Sequence, residues 1–549
     1  MSASLLRAAA LAALFAVLAA GSRAPSLATA PRFYKDDPLQ VDPETEDASG
    51  VQEWDLNDQF DFVENTFLDA GDENAIHAVN VNTIDEVPDS SWFTNRLGSQ
   101  PFSLDDFVRG SLTGEGPADG PWRIVASKTE GITPGLTIRD SRETIYFVKF
   151  DPPKNPEMAS GAEVIATRFF HALGYHVPEN YLAVLRPDRL QIDPKARVKG
   201  PDGKMHPMTP DDVEDLLERA ARQPDGTYRV LASQGLAGKP LGPFRYYGTR
   251  PDDPNDIFPH EHRRELRGLR VSSAWLNHDD SRAINTADFL VERNGKGIVW
   301  HYLIDFGSTL GSGSTQAQGP RAGNEYLWEA RPTYITMLTL GFYVRPWIKV
   351  KYAEMPAIGR IEADYFQPDR WKPEYPNPAF NNLRPDDAFW AARRLVAISD
   401  ETIRRVVATA EYSEPSAAEF LVDVLIKRRN KVVAYWLNGV LPVVDLALSR
   451  DGALTFRNLA VDAGLATAPA GYRIRWFRFD NSTGDTSAVG DESTVSTPSA
   501  TAPRAALEAE YVLSEIRTEH AAHAGWSTPL RAYFRRSPDG WTLVGLERQ

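Results

Sequence analysis

Residues Trp275 to Gly311 read WLNHDDSRAINTADFLVERNGKGIVWHYLIDFGSTLG, and the fold turns on how this stretch is read. Two polar clusters bracket it: His278-Asp279-Asp280, with Asn285 five residues after Asp280, and Asp305-Phe306-Gly307. Between them lie two apolar runs joined by Asn294-Gly295-Lys296-Gly297, which predicts a β-hairpin, because Asn-Gly supplies the positive backbone angles that tight hairpin turns need. Val299, His301, Leu303 and Asp305 alternate with Trp300, Tyr302, Ile304 and Phe306, so the second run is a strand that delivers Asp305 at its exit. Such a hairpin brings Asp280, Asn285 and Asp305 to one end.

Carboxylate and amide oxygens gathered in this way suit a hard divalent cation and the polyphosphate that accompanies it. The order His-x-Asp-x-x-x-x-Asn, strand, strand, Asp-Phe-Gly resembles the catalytic core of the protein-kinase-like fold. The resemblance implies that Asp280 takes the proton of an acceptor hydroxyl, that Asn285 and Asp305 hold Mg, and that His278 braces the loop. Asp279 is the alternative base if the register is shifted by one.

Upstream, three strands are expected at Trp122 to Ala126, Leu136 to Ile138 and Thr144 to Phe150. The loop between the first two holds Gly131 and Gly135, whose missing side chains would let the backbone approach nucleotide phosphates; a plain hairpin loop is the other reading. It lacks the three-glycine pattern usual in kinases. Lys149 ends the third strand with its neighbours Val148 and Phe150 on the opposite face, and resembles the nucleotide-contacting lysine of kinases. Ser160 to Gly174 is expected as a helix. There Glu163 is either the ion-pair partner of Lys149 or the acid of a capping box with Ser160.

The resemblance covers about Gly120 to Leu441 and is nearest to atypical secreted kinases of the spore-coat type, and more distantly to toxin-type kinases. No Ala-Pro-Glu follows Asp305-Phe306-Gly307, so substrate recognition departs from that of ordinary protein kinases. The expected fold is α+β: a two-lobed protein-kinase-like core (120–441) between an acidic N-terminal module (23–119) and a small C-terminal antiparallel β domain (442–549). Residues 1–22, with Arg7 before the apolar run Ala8 to Ala20, are expected to be a secretory signal peptide. The expected location is periplasmic or extracellular, with no transmembrane segment after signal removal.

Formal net charge is −15, but 21 Asp and Glu against 4 Lys and Arg fall between Pro31 and Gly120. That acidity disfavours nucleic acid, and its simplest meaning is a solvated surface. The chain has no Cys, which removes disulfides and thiolate metal sites. His260 and His262 lack the spacing of a zinc motif. Arg32 to Gly50 is expected as an extended linker, and the loop with Trp92-Phe93 either docks the module on the body or faces a substrate. Arg186 to Tyr228 reads as a polar insertion carrying one helix from Pro210 to Arg222, Ser308 to Gly323 as mobile, Phe366 to Pro378 as a surface loop, and Asn481 to Pro503 as a long loop. The function implied is phosphoryl transfer from Mg-ATP to an unidentified hydroxyl on a protein or small molecule. Nucleotidyl transfer on the same fold, or a non-catalytic envelope module, are the alternatives.

Overall fold

The computed structural model describes residues 30–68, 70–98, 101–127, 134–200 and 203–548. The expected signal peptide and Gly131 lie outside them.

The chain is mixed α+β. Seven strands form the first sheet: β1 (Trp122–Ser127), β2 (Gly135–Arg139), β3 (Ile145–Phe150), β4 (Asn180–Leu185), β5 (Leu190–Lys199), β6 (Met205–Pro207) and β7 (Tyr228–Gln234), in the order β4-β7-β3-β2-β1-β5-β6. The β1–β5 pair is parallel and the rest antiparallel. On β3, Tyr146, Val148 and Phe150 are buried with Ile124, Leu185 and Val230, which leaves Phe147 and Lys149 on the other face. The period of two thus assigns Lys149 its side.

The region 186–228, expected as an insertion with a single helix, contributes β5 and β6 to this sheet as well as the helix Pro210–Glu218. These strands escape sequence reading because β5 buries only Ala196 and so shows no apolar alternation. The Asn294-Gly295 hairpin forms between β9 (Thr286–Arg293) and β10 (Lys296–Leu303), with Arg293 opposite Lys296 and both turn residues at positive φ, 51° and 76°. The short β8 (Lys239–Gly242) completes that sheet at its β9 edge.

Helices Arg264–Leu276, Pro385–Val396, Asp400–Ala408 and Pro415–Trp436 build the helical body. Leu269, Val271 and Trp275 of the first are fully buried, and the Trp275 indole donates to the Leu425 carbonyl at 2.9 Å. The segment 366–378, expected on the surface, is partly core: Trp371 is buried and donates to Asn277 Oδ1 at 3.0 Å. Beyond residue 442 come β11 (Val443–Leu448), β12 (Ala453–Asn458), β13 (Tyr472–Phe479), β14 (Thr486–Val495), β15 (Ser499–Thr501), β16 (Tyr511–Arg517), β17 (Leu530–Ser537) and β18 (Gly540–Glu547). They form a three-stranded sheet and a five-stranded antiparallel sheet. The stretch expected as a long loop, Asn481 to Pro503, supplies β14 and β15. β14 is an edge strand with no buried residue, so it carries no periodic signal. One hydrophobic cluster runs from Phe170 and Trp275 through Leu425 to Val443, Trp476 and Trp526, joining the helices to these sheets.

The acidic segment is woven into the body. Phe33, in the stretch expected as a linker, packs against Phe479 and Tyr533 of the C-terminal sheet, and Ala48 donates to the Gly297 carbonyl at 2.8 Å. Trp92 stacks on His301 at 3.5 Å, and Phe93 is fully buried against Tyr175 and Trp390. Asp85 joins Asp386 and Asp387 around the fully buried Arg264.

At the rim of that cluster His77 lies 2.9 Å from Asp386 and 3.4 Å from Asp85, and these two partners raise it to about 9. A raised folded value means that the stabilisation is complete below the unfolded pKa near 6.5 and is lost as pH climbs through 9. His77→Gln should therefore lower the denaturant midpoint at pH 6 and have little effect at pH 9.5. Equal losses at both pH values would contradict this linkage. Because the imidazole is 46% exposed, the size of the effect is screened by solvent.

Candidate functional site

Three elements meet at Lys149. Its Nζ lies 3.1 Å from Glu163 Oε2, on the helix Met158–Leu173, and 2.9 Å from Asp305 Oδ1, at the exit of the β9–β10 hairpin. Glu163 also accepts from the Phe306 backbone N–H at 3.1 Å. The capping-box reading of Glu163 does not hold. The helix starts at Met158, two residues before Ser160, and Ser160 bonds Asp151 instead. Asp305 sits at φ 57°, a left-handed conformation, and its side chain is 38% exposed against 2% for Glu163.

Burial alone would pull the Lys149 ammonium down, but Asp305 and Glu163 outweigh it and hold it above its ordinary range. Burial pushes Glu163 up, against the pull of Lys149. The buried Asn180 was not singled out from sequence. Its amide donates to Thr167 Oγ1 at 2.8 Å and reaches Glu163 Oε1 at 3.5 Å, which fixes the glutamate from behind.

The second group lies on the loop after the Arg264–Leu276 helix, which ends with Asn277 in the left-handed conformation. Asn285 Nδ2 donates to the Asp280 carbonyl at 2.8 Å, an arrangement that leaves its side-chain oxygen for another partner. The Ile304 N–H donates to the Asn285 carbonyl at 3.0 Å and ties this loop to the strand that carries Asp305. The Asp280 carboxylate is in close contact with Arg282, which also faces Asp58 at 3.0 Å and Glu374 at 3.4 Å. Arg282 too was not singled out from sequence, since its partners are up to 224 residues away. Burial pushes Asp280 up to about 6 despite Arg282. Asp279 differs: burial and the Asp280 charge push it up to about 8, and its carboxylate is bonded to Gln318.

His278 is buried against both Phe170 and Phe306, its ring 5.6 Å from each. Burial draws it down to about 3, so the imidazole is neutral, and its Nδ1 has no hydrogen-bond partner among the described residues. The Phe170 and Phe306 rings stack at 4.9 Å, so Phe306 anchors the Asp305 turn in the helical core. The following residues, expected to be mobile, make specific contacts: the Leu310 N–H donates to the Leu276 carbonyl at 2.9 Å, and Gly311 meets the Arg360 backbone so closely that a side chain there would clash.

Lys149, Glu163 and Asp305 line one end of a cleft of about 530 Å³ between the first sheet and the hairpin. Its walls are apolar, with Leu136, Val148, Leu236, Phe289 and Ile304. A mostly apolar cleft with one cation and two carboxylates at one end suits a molecule with an apolar body and a charged tail. Gly135 opens β2 and pairs with Lys149 in register, so it stands in the strand and not in the loop before it. His260 and His262 are taken up in contacts with Asp256 and Asp72. Among the described residues one trio, His77, Asp85 and Asp386, has the spacing for a metal, but Arg264 already supplies the positive charge there. No described helix is long and apolar enough to cross a membrane.

No protein-family model matches this chain, and no curated protein matches it. Among solved structures, it is similar to the crystal structure of the Golgi casein kinase with Mn/ADP bound, at 9% sequence identity and a TM-score of 0.30, over 61% of this chain and 75% of that one.

Proposed function

We propose that this protein is an exported atypical kinase that transfers the γ-phosphoryl group of Mg-ATP to a hydroxyl acceptor. The observation that carries this reading is the contact of Lys149 with both Glu163 and Asp305 in the lining of a mostly apolar cleft. The aromatic base would lie in the cleft and the phosphates would run toward Lys149, which serves as a point charge held in place by Glu163. Asp305 and Asn285 offer a carboxylate and an amide oxygen, a donor set that fits a hard cation. When bound, that cation neutralises the charge on the phosphates.

The acceptor hydroxyl oxygen attacks the γ-phosphorus. The bond from that phosphorus to the bridging oxygen breaks, ADP leaves with the electron pair, and Asp280 takes the hydroxyl proton. Asp280 suits this role better than Asp279: with a pKa near 6 it is ionised at neutral pH, whereas Asp279, near 8, holds its proton. Arg282 orients the Asp280 carboxylate, and the neutral His278 packs the loop against Phe306.

The test is incubation of the purified protein with ATP labelled at the γ or at the α position, with an extract of the producing cell envelope as acceptor. The expected result is label transfer from γ-ATP only, abolished by a chelator. Transfer of the α label would identify nucleotidyl transfer instead, and no transfer of either label would overturn the enzymatic reading.

A further inference from the structure

Apart from the cleft, the most unusual surface is the segment from Ala330 to Ala353. Its helix, Ala330–Leu338, has no buried residue. The helix ends in a tight turn in which Leu340 and Gly341 take positive φ, 49° and 85°, and the Gly341 N–H donates to the Thr336 carbonyl at 2.8 Å. Leu338, Leu340 and Phe342 at this turn are 84%, 87% and 86% exposed, and a side chain built on Gly341 would meet nothing. The tip is therefore a convex apolar wedge. It is held at its base, where Arg345 Nε lies 2.8 Å from Glu325, the Trp347 indole donates to the same carboxylate at 3.0 Å, and Lys372 lies 2.7 Å from Glu329.

Charge indicates what covers it. From Ala330 to Ala353 there are four cations, Arg331, Arg345, Lys349 and Lys351, and no acidic residue, in a chain of formal net charge −15. Arg331, Lys349 and Lys351 are exposed and form no ion pair among the described residues. A protein groove would require a shape that fits a convex point. An anionic bilayer does not: it accepts protruding Leu and Phe side chains among its acyl chains while its headgroups attract the flanking Lys and Arg. The aromatics Tyr334, Tyr343 and Trp347 in the same segment belong to the residue types that prefer the headgroup level. The acidic remainder of the chain would be turned away from such a surface, which orients the molecule with this wedge inward.

We infer that the segment Ala330 to Ala353 is a membrane-contact wedge that docks the protein on an anionic lipid surface through Leu338, Leu340 and Phe342, lying on the bilayer without crossing it. Because the chain has no cysteine, Leu340→Cys provides a single thiol for an environment-sensitive fluorophore, and Asp539→Cys, in the turn between β17 and β18, provides a control. With vesicles of phosphatidylglycerol and phosphatidylcholine, the label at 340 should shift to the blue and be quenched by lipid-borne quenchers. The label at 539 should not change, and phosphatidylcholine alone should give a much weaker response. In flotation assays Leu340→Glu with Phe342→Glu should weaken vesicle binding roughly 30-fold or more. Each of Lys349→Gln and Lys351→Gln should weaken it about fivefold. Unchanged thermal unfolding of these variants would confirm that the fold is intact. A label at 340 that ignores vesicles overturns the inference, even if the protein floats by another segment. So does a label already blue-shifted without lipid, since the wedge would then be covered by the chain itself, by a second copy or by another protein.

Discussion

Replacing Asp280 by Asn should reduce phosphoryl transfer by about 100- to 10,000-fold, the usual contribution of a positioned base, while leaving nucleotide binding nearly unchanged. The substitution keeps the size of the side chain and removes its ability to take a proton. Arg282 would retain Asp58 and Glu374 as partners, so the loop should keep its place. Lys149→Ala gives the contrasting pattern, with binding and transfer falling together, because the cation that faces the cleft is lost and Glu163 and Asp305 are left without their common partner. Single-turnover rates from γ-labelled ATP, measured beside nucleotide affinity, separate the two. If Asp280→Asn transfers phosphate at the rate of the unmodified protein, Asp280 is not the base and the mechanism above is wrong.

The largest loss of stability should come from Arg264→Met. The guanidinium is fully buried, with Nε 3.0 Å from Asp387, Nη2 3.0 Å from Asp386 and Nη1 2.5 Å from Asp85. Burial alone would lower its pKa, but the three carboxylates outweigh this and hold it above the ordinary arginine value. Methionine keeps much of the volume and removes the one cation that touches all three carboxylates, leaving Arg267 to Asp387, Arg384 and the rim His77 to Asp386, and Arg548 at 4.0 Å to Asp85. Breaking a buried charge network in this way costs about 3–5 kcal/mol, which denaturant unfolding at neutral pH would show as a lower midpoint with little change in slope. A loss below about 1 kcal/mol would mean that the carboxylates relax or protonate without penalty. Asp85 lies in the N-terminal acidic segment while Asp386 and Asp387 begin a helix of the body, so the same substitution should also loosen the packing of Trp92 and Phe93.

The features legible in the residues alone are local and periodic. Asn294-Gly295 specified the hairpin because few residues accept two consecutive positive φ angles, and the alternation from Val299 onward put Asp305 at the strand exit. Likewise the alternation in β3 put Lys149 opposite Tyr146, Val148 and Phe150, and Gly174 ended the helix that carries Glu163. Strands without an apolar face left no such trace, which is why β5, β6 and β14 appear only in the assembled sheets, β14 at a sheet edge. Tertiary structure also decided every partnership between distant charges. Glu163 could have closed its own helix or met Lys149, and the helix start at Met158 with Asp305 folded over Lys149 selected the second. Arg282 acquired Asp58 and Glu374, and Arg264 acquired Asp85. The acidity between Pro31 and Gly120, which composition presents as solvated surface, is in part buried against arginines of the body. Period and turn geometry act over a few residues and are written in the residues themselves. A buried ion pair depends on which distant side chain arrives at the same depth, and the fold alone fixes that.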